Sequence, residues 1–277
     1  MELTFTKMHG LGNDFVVLDF TQEPKTLSKA QAAHLADRKF GVGCDQILIV
    51  EKALSKSADF RYRILNADGS EVSQCGNGAR CFVRYVHDKG LSDKNPLIVE
   101  TAEGILELKA INNSELVEVN MGIPRFEPDQ VPLKVETRRT LYHAQIGDDR
   151  YEFAAINMGN PHAVLTVENI ETAQVLELGQ ILESHALFPA RANIGFMQIN
   201  NPSRIALRVF ERGVGETLAC GSGACAAVVA GIQQGLLQSN VTVEMTGGEL
   251  EISWAGEGKA VHMTGPAKSV YRGQITL

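Results

Sequence analysis

Cys75-Gly76-Asn77-Gly78-Ala79 and Cys220-Gly221-Ser222-Gly223-Ala224 are two versions of one stretch, a thiol followed by a glycine-rich turn. Each turn opens a run of apolar residues at helical spacing, so both sulfurs are expected at helix N-termini. Exposed N–H groups and the positive end of the helix dipole favour anions there. The expectation is therefore a thiol pKa lowered from about 8.5 towards neutrality. Laid over one another without gaps, the two stretches also bring Arg63-Ile64 onto Arg208-Val209, Glu71 onto Glu216 and Gly90 onto Gly235. One residue out of that register, Val241-Thr242-Val243-Glu244 answers Leu97-Ile98-Val99-Glu100, and Gly248 to Ile252 answers Gly104 to Leu108. One half of the chain repeats the other.

Working outward from the first copy, Leu3 to Met8 and Phe15 to Leu18 read as strands joined by the glycine loop His9 to Asp14. Ser28 is a plausible N-cap for a helix running to Lys39, and Ile47 to Val50 and Phe60 to Leu65 read as further strands. Asn112-Asn113-Ser114 is a turn-rich seam where the first half closes. In the second half Ile156 to Val164 is again a glycine and asparagine loop feeding a strand, Ile170 to Ser184 reads as a helix, and Ile194 to Ile199 and Ile205 to Phe210 as strands. The helix after Cys220 is apolar almost all round from Ala224 to Ile232, so it belongs at the centre of its domain. The fold class is α/β of the α+β kind: two pseudo-symmetric strand-rich domains, each a mixed sheet wrapped around a central helix. The expected domains are 1–118, with the terminal strand 266–277 packing back on it, and 119–265.

A chain of 277 residues that is 44% hydrophobic and 21% charged has the composition of a soluble globular protein. Its formal net charge of −7 argues against nucleic acid. Met1 to Asp14 does not pair a basic region with an apolar one, and no apolar run approaches the roughly 18 residues that cross a bilayer. A cytoplasmic protein without membrane contact is expected. The five cysteines, an odd number, read as reduced thiols. The spacings are C-x5-C from Cys75 to Cys81 and C-x4-C from Cys220 to Cys225, where paired metal ligands normally come as C-x2-4-C, and the second cysteine of each pair falls within the helix on its packed side, so no metal is expected, and Cys44, Cys81 and Cys225 are read as structural.

Two like acid–base groups on opposite sides of one atom are what inversion at a carbon by proton transfer requires: one thiolate removes the proton and the other thiol delivers one to the opposite face. A duplicated fold supplies that likeness if the halves pack about an approximate two-fold axis. The carbanion formed beside a carboxylate needs fixed donors, and the N–H groups of Gly76-Asn77 and Gly221-Ser222 are such donors. The repeat breaks just upstream of the cysteines, where Asn66-Ala67 aligns with Glu211-Arg212. Arg212 can take a distal carboxylate in bidentate fashion, and the asparagines suit a second zwitterion. Singly, each asparagine is as much a turn residue as a binding one, and His162 as much a structural hydrogen bonder as a functional one.

The set Gly10-Leu11-Gly12-Asn13-Asp14-Phe15, Asn66 to Glu71, Cys75 to Cys81, Gly159-Asn160-Pro161-His162, Glu211-Arg212-Gly213 and Ala219 to Gly223 resembles diaminopimelate epimerases over the full length. The resemblance implies their fold and a cofactor-independent epimerisation of LL-diaminopimelate to the meso form, with no pyridoxal phosphate. It implies Cys75 and Cys220 as the two bases, with His162 and Glu211 tuning them. Gly76, Asn77, Gly221 and Ser222 would hold the carboxylate at the reacting centre. Asn13, Gln46, Asn66, Asn160, Asn193 and Arg212, with Glu211, would bind the rest of the substrate. A homodimer with Tyr271 at the contact is implied too. Three rivals remain: a racemase for another amino acid such as proline, which would want apolar walls; a thiol redox protein, which would form a Cys75–Cys220 disulfide; and a non-catalytic amino-acid binder, which would tolerate loss of both thiols.

Overall fold

The computed structural model describes residues 1–72, 76–102, 104–111 and 115–277. They form two compact units, Met1–Asn120 with Thr264–Leu277, and Met121–Met263. The Asn112 to Ser114 seam lies outside the described residues.

In the first unit β1 (Glu2–Gly10) and β2 (Asn13–Asp19) form an antiparallel hairpin. Its two-residue loop, Leu11 and Gly12, has φ of 57° and 89°, the left-handed pair that matches the twist of a tight hairpin. Helix α1 (Lys29–Ala36) starts at Ser28, whose hydroxyl accepts the Gln31 N–H while the Gln31 side chain accepts the Ser28 N–H. It stops three residues short of the expected Lys39, because the chain turns extended at Asp37, whose Oδ1 takes the N–H groups of Lys39 and Phe40. Then follow β3 (Gln46–Lys52), β4 (Phe60–Asn66), β5 (Glu71–Val72), α2 (Gly76–Asp88), β6 (Leu97–Thr101), β7 (Gly104–Ala110) and β8 (Leu116–Asn120). Pairing is parallel for β2–β3 and β4–β6, and antiparallel for β3–β4, β4–β5, β6–β7 and β7–β8. Helix α2 packs against β1, β2, β3, β7 and β8, so the mixed sheet wraps it.

The second unit has β9 (Tyr142–Ile146), β10 (Asp149–Asn157), β11 (Pro161–Thr166), α3 (Val175–Glu183), β12 (Asn193–Asn201), β13 (Arg204–Glu211), β14 (Gly215–Thr217), α4 (Gly221–Gln233), β15 (Asn240–Met245) and β16 (Gly248–Trp254), and β17 (Val261–Pro266) begins in it and passes into the first unit's second segment at Thr264. Helix α3 begins five residues after the expected Ile170 and ends one residue before Ser184. Strands of both orientations surround α4, which packs against β10, β11, β12, β13, β15 and β16. Its residues Ala224 to Ala230 are all fully buried, as an all-round apolar helix requires. Burying Val228 and Val229 contributes roughly 1.5–3 kcal/mol each. The last strand, β18 (Lys268–Thr276), runs antiparallel to β1 in the first unit.

The internal repeat survives as register. Ile64 and Leu65 pair with Val72 and Glu71, and Val209 and Phe210 pair with Thr217 and Glu216 in the same way. Arg63 grips Glu71 through Nε and Nη2 at 2.9 Å each, and its counterpart Arg208 grips Glu216 at 2.6 and 2.9 Å. Helices α2 and α4 are both 13 residues long.

Candidate active site

Cys220 is the N-cap of α4, with extended backbone angles (φ −121°, ψ 106°) that turn its side chain back over the helix's first turn. The N–H groups of that turn have no partner inside the helix. One of them, Gly223 N–H, reaches the sulfur, and the Ser222 hydroxyl lies 3.6 Å from it. A Cβ on Gly223 would stand 3.2 Å from the sulfur and 3.0 Å from Val209 Cγ2, so glycine is what lets the thiol sit there. Glu211, at the end of β13, is hydrogen-bonded to the thiol and accepts the Thr217 hydroxyl at 2.5 Å.

The expected lowering of this thiol's pKa is overturned. Burial comes first: Cys220 is 4% exposed, and the thiolate would lose its water. The Glu211 carboxylate adds repulsion. Ser222 and Gly223 pull the other way, but the pKa rises well above the usual thiol value. Cys220 is therefore a protonated thiol that donates to a carboxylate.

Around it the second unit assembles a chain of polar groups. His162, 1% exposed on β11, meets Asn160 Oδ1 through Nε2 at 2.9 Å. Burial, with Arg212 adding to it, pushes its pKa down to about 3, so the imidazole is neutral. Asn193 donates to Pro161 O at 3.1 Å and accepts the Arg212 N–H at 2.9 Å. Arg212 Nη1 bonds Ala190 O at 3.0 Å, and Gly213 N–H bonds the buried Glu183 carboxylate at 2.6 Å. The turn after β13 is thus fixed at three points, with the guanidinium exposed to solvent and shaped for a carboxylate.

In the first unit Cys75 lies outside the described residues. Helix α2 starts beside it at Gly76, and a Cβ on Gly78 would lie 2.3 Å from the Tyr62 hydroxyl and 3.1 Å from Leu48 Cδ2. Gln46 Nε2 donates to Asn66 Oδ1 at 3.0 Å, and Asn66 Nδ2 to Ser70 Oγ at 3.1 Å. Asn13 Nδ2 donates to Asp45 Oδ2 at 3.0 Å, and Asn77 Nδ2 to Asn13 Oδ1 at 3.3 Å. Arg38 spans Asp14 (2.9 and 2.7 Å) and Asp45 (2.7 Å), and Lys7 meets Asp14 at 2.6 Å. Burial alone would raise the Asp14 carboxyl, but Arg38 and Lys7 hold it well below the usual range. Cys44 is a buried thiol pushed up to about 11 by that burial, as befits a structural residue. Tyr271 stands apart from these groups on β18, edge-on to Phe5 with ring centroids 5.9 Å apart.

Sequence reasoning missed Asp14, Asp45, Arg38, Thr217 and Glu183. Asp14 and Asp45 flank Asn13 and Gln46, and the parallel β2–β3 register, Phe15 against Gln46, makes those positions neighbours. His162 against Asn193 repeats that register, so Asn13, Gln46 and Asn66 correspond to Asn160, Asn193 and Glu211. Helix α4 thus offers an anion site with an acid beside it, and three strand ends in each unit carry polar side chains.

The family model described as diaminopimelate epimerase matches residues 5–127 and 154–270. A diaminopimelate epimerase of Azoarcus sp. is 56% identical over 277 residues, with all of both chains covered. One from Nitrosospira multiformis is 54% identical over 279 residues, covering 100% of this chain and 99% of the relative. Among solved structures, a Bacillus anthracis phenazine biosynthesis protein of the PhzF family superposes with a TM-score of 0.70 at 16% identity, covering 100% of both chains. A probable proline racemase from Agrobacterium radiobacter gives 0.71 at 17% identity, covering 99% of this chain and 93% of the other. At such identities these two speak for the fold alone.

Proposed function

This chain belongs to the diaminopimelate epimerase family, and from that premise we propose how it converts LL-2,6-diaminopimelate to the meso form, the late step that supplies lysine and peptidoglycan precursors. The observation that carries the mechanism is the protonated Cys220 thiol, hydrogen-bonded to a carboxylate at a helix N-terminus. A thiol in that state is an acid. Cys75 is the base that removes the α-proton and becomes a thiol, while Cys220 delivers its proton to the opposite face and becomes a thiolate. The electron pair left on the α-carbon passes into the adjacent carboxylate, whose oxygens take N–H groups of Gly76, Asn77, Gly221 and Ser222. Solvent exchange at the two sulfurs then restores the starting state. Arg212 takes the distal carboxylate, and Asn13, Gln46, Asn66, Asn160 and Asn193 the distal amino-acid end. When the reaction runs the other way, Glu211 accepts the Cys220 proton and leaves the thiolate that removes the α-proton, and His162, neutral, acts by hydrogen bonding.

The test is incubation with LL-diaminopimelate in deuterium oxide. Meso product labelled at the α-carbon, with remaining substrate still unlabelled, is the two-base outcome; early label in recovered substrate would reject it.

A second copy of the chain is proposed against β18, where Val270 and Tyr271 are 58% and 48% exposed. Sedimentation at micromolar concentration reads this. No helix among the described residues is long and apolar enough to cross a membrane. Cys44 and Cys220 are reduced thiols, which supports a cytoplasmic location.

A further inference from the structure

Asn77 is 5% exposed, on the second residue of α2, and among the described residues its Oδ1 has no hydrogen-bond partner. A buried acceptor left bare forfeits its hydration with nothing in return, so it calls for an occupant. What kind of occupant follows from the other end of the hydrogen-bond chain. A carboxylate only accepts, so Asp45 obliges the Asn13 amide to present Nδ2 to it, at 3.0 Å. Asn13 Oδ1 is then turned to Asn77, which must present its own Nδ2, at 3.3 Å. The Asn77 oxygen is left at the end of the chain, and the bare group is an acceptor by necessity. Asp45 cannot turn away: Arg38 Nη2 holds its Oδ1 at 2.7 Å, and the Asp14 N–H holds Oδ2 at 3.0 Å. Arg38 is itself held by Asp14 at 2.7 and 2.9 Å, and Asp14 by Lys7.

We propose that Asp45 is a positioning residue that orients the amides of Asn13 and Asn77, so that Asn77 Oδ1 accepts the ammonium group of the substrate. The proposal rests on the epimerase reading above and adds a source of selectivity to it. The first turn of a helix offers only donors, and donors alone hold the carboxylate of a hydroxy acid or a simple dicarboxylate as well as that of an amino acid. An acceptor fixed beside them asks for a carboxylate and an ammonium on one carbon.

The experiment compares Asp45→Asn, Asp45→Ala and Asp45→Glu with wild type. Asparagine can offer its own NH2 to Asn13, which reverses both amides and turns a donor towards the ammonium. D45N should raise KM for LL-diaminopimelate about tenfold or more while kcat stays within about threefold. D45E keeps an acceptor-only group and should stay within about threefold of wild type in both, with D45A between them. The second readout is inhibition by the analogue in which one amino group is replaced by hydroxyl: wild type should prefer the diamine, and D45N should narrow that preference. Loss of packing in the loop would weaken both ligands alike and leave the ratio unmoved. Wild-type turnover in the same assay checks the epimerase reading itself. If wild type turns over while D45N matches it in KM and in the ratio, or D45E is impaired as much as D45N, the orienting role is overturned.

Discussion

Equivalent positions of the two units carry opposite chemistry. Where the first unit has Asn66, joined to Gln46 and Ser70, the second has Glu211, joined to the Cys220 thiol and to Thr217. Where the first buries Phe15, the second buries the neutral His162. By register Asp14 and Asp45 answer to Pro161 and Ala192, so the charged cluster that orients Asn13 belongs to the first unit alone. The backbone has been kept, down to the Arg63–Glu71 and Arg208–Glu216 pairs, while the groups at the strand ends have diverged. On the mechanism proposed above, the duplicated scaffold would supply the two thiols and the diverged strand ends the means of telling apart the two ends of one substrate.

The largest expected effect concerns what the units share. Cys75→Ala and Cys220→Ala should each lower epimerase kcat by about a thousandfold or more, since each removes one of two protons that must move. Circular dichroism should show both variants folded. Substantial turnover by either would end the two-base scheme.

Glu211→Gln tests what they do not share. Glu211 raises the Cys220 pKa, so removing its charge lowers that pKa. The alkaline limb of the kcat profile, where the acid form is lost, should then move to lower pH, and kcat should fall about ten- to a hundredfold. A limb that stays in place would mean the carboxylate does not act on the thiol.

Two glycines of the matched turns should part company. At Gly78 an added methyl meets the Tyr62 hydroxyl at 2.3 Å inside the core, so Gly78→Ala should cost about 3 kcal/mol of stability. At Gly223 the methyl would press on the sulfur at 3.2 Å, so Gly223→Ala should cost activity more than stability. Urea melts and kcat on both variants decide this, and equal losses of stability would contradict it.

The smallest effect is a matter of pH. His162 titrates at about 3 when folded, against 6.5 as the ordinary value, so the unfolded chain takes its proton first. Its contribution is complete above pH 6.5 and is lost as pH falls towards 3, by about 2 kcal/mol at pH 5. Replacing it by the first unit's residue, His162→Phe, should flatten the pH dependence of unfolding between pH 7 and 5; an unchanged slope would assign the acid sensitivity to other groups.

Much of this was legible in the sequence, for reasons that also mark where reading stops. The helices after the cysteines announce themselves through apolar residues at helical spacing behind a glycine turn, and Ser28 is a cap that only its neighbourhood within three residues decides. The β9–β10 hairpin went unread although Tyr142 and Ala144 alternate with His143 and Gln145 before a turn at Gly147 with φ of 60°. The state of the Cys220 thiol could not be read, because the dipole that lowers its pKa is local while the burial and the Glu211 carboxylate that raise it come from tertiary packing. The same holds for Asp45, which reaches Asn13 only through the parallel register of β2 and β3.

One feature of β18 bears on how the chain is made. The Met1 nitrogen donates to Leu277 O at 2.5 Å and Leu277 N–H to Met1 O at 2.9 Å, so residues 276 apart along the chain are hydrogen-bonded neighbours. The second unit is one continuous segment and has all its residues once Met263 has left the ribosome. The first unit, though most of it precedes the second along the chain, keeps one edge of β1 unpaired until β18 emerges, and so it is completed after the second unit.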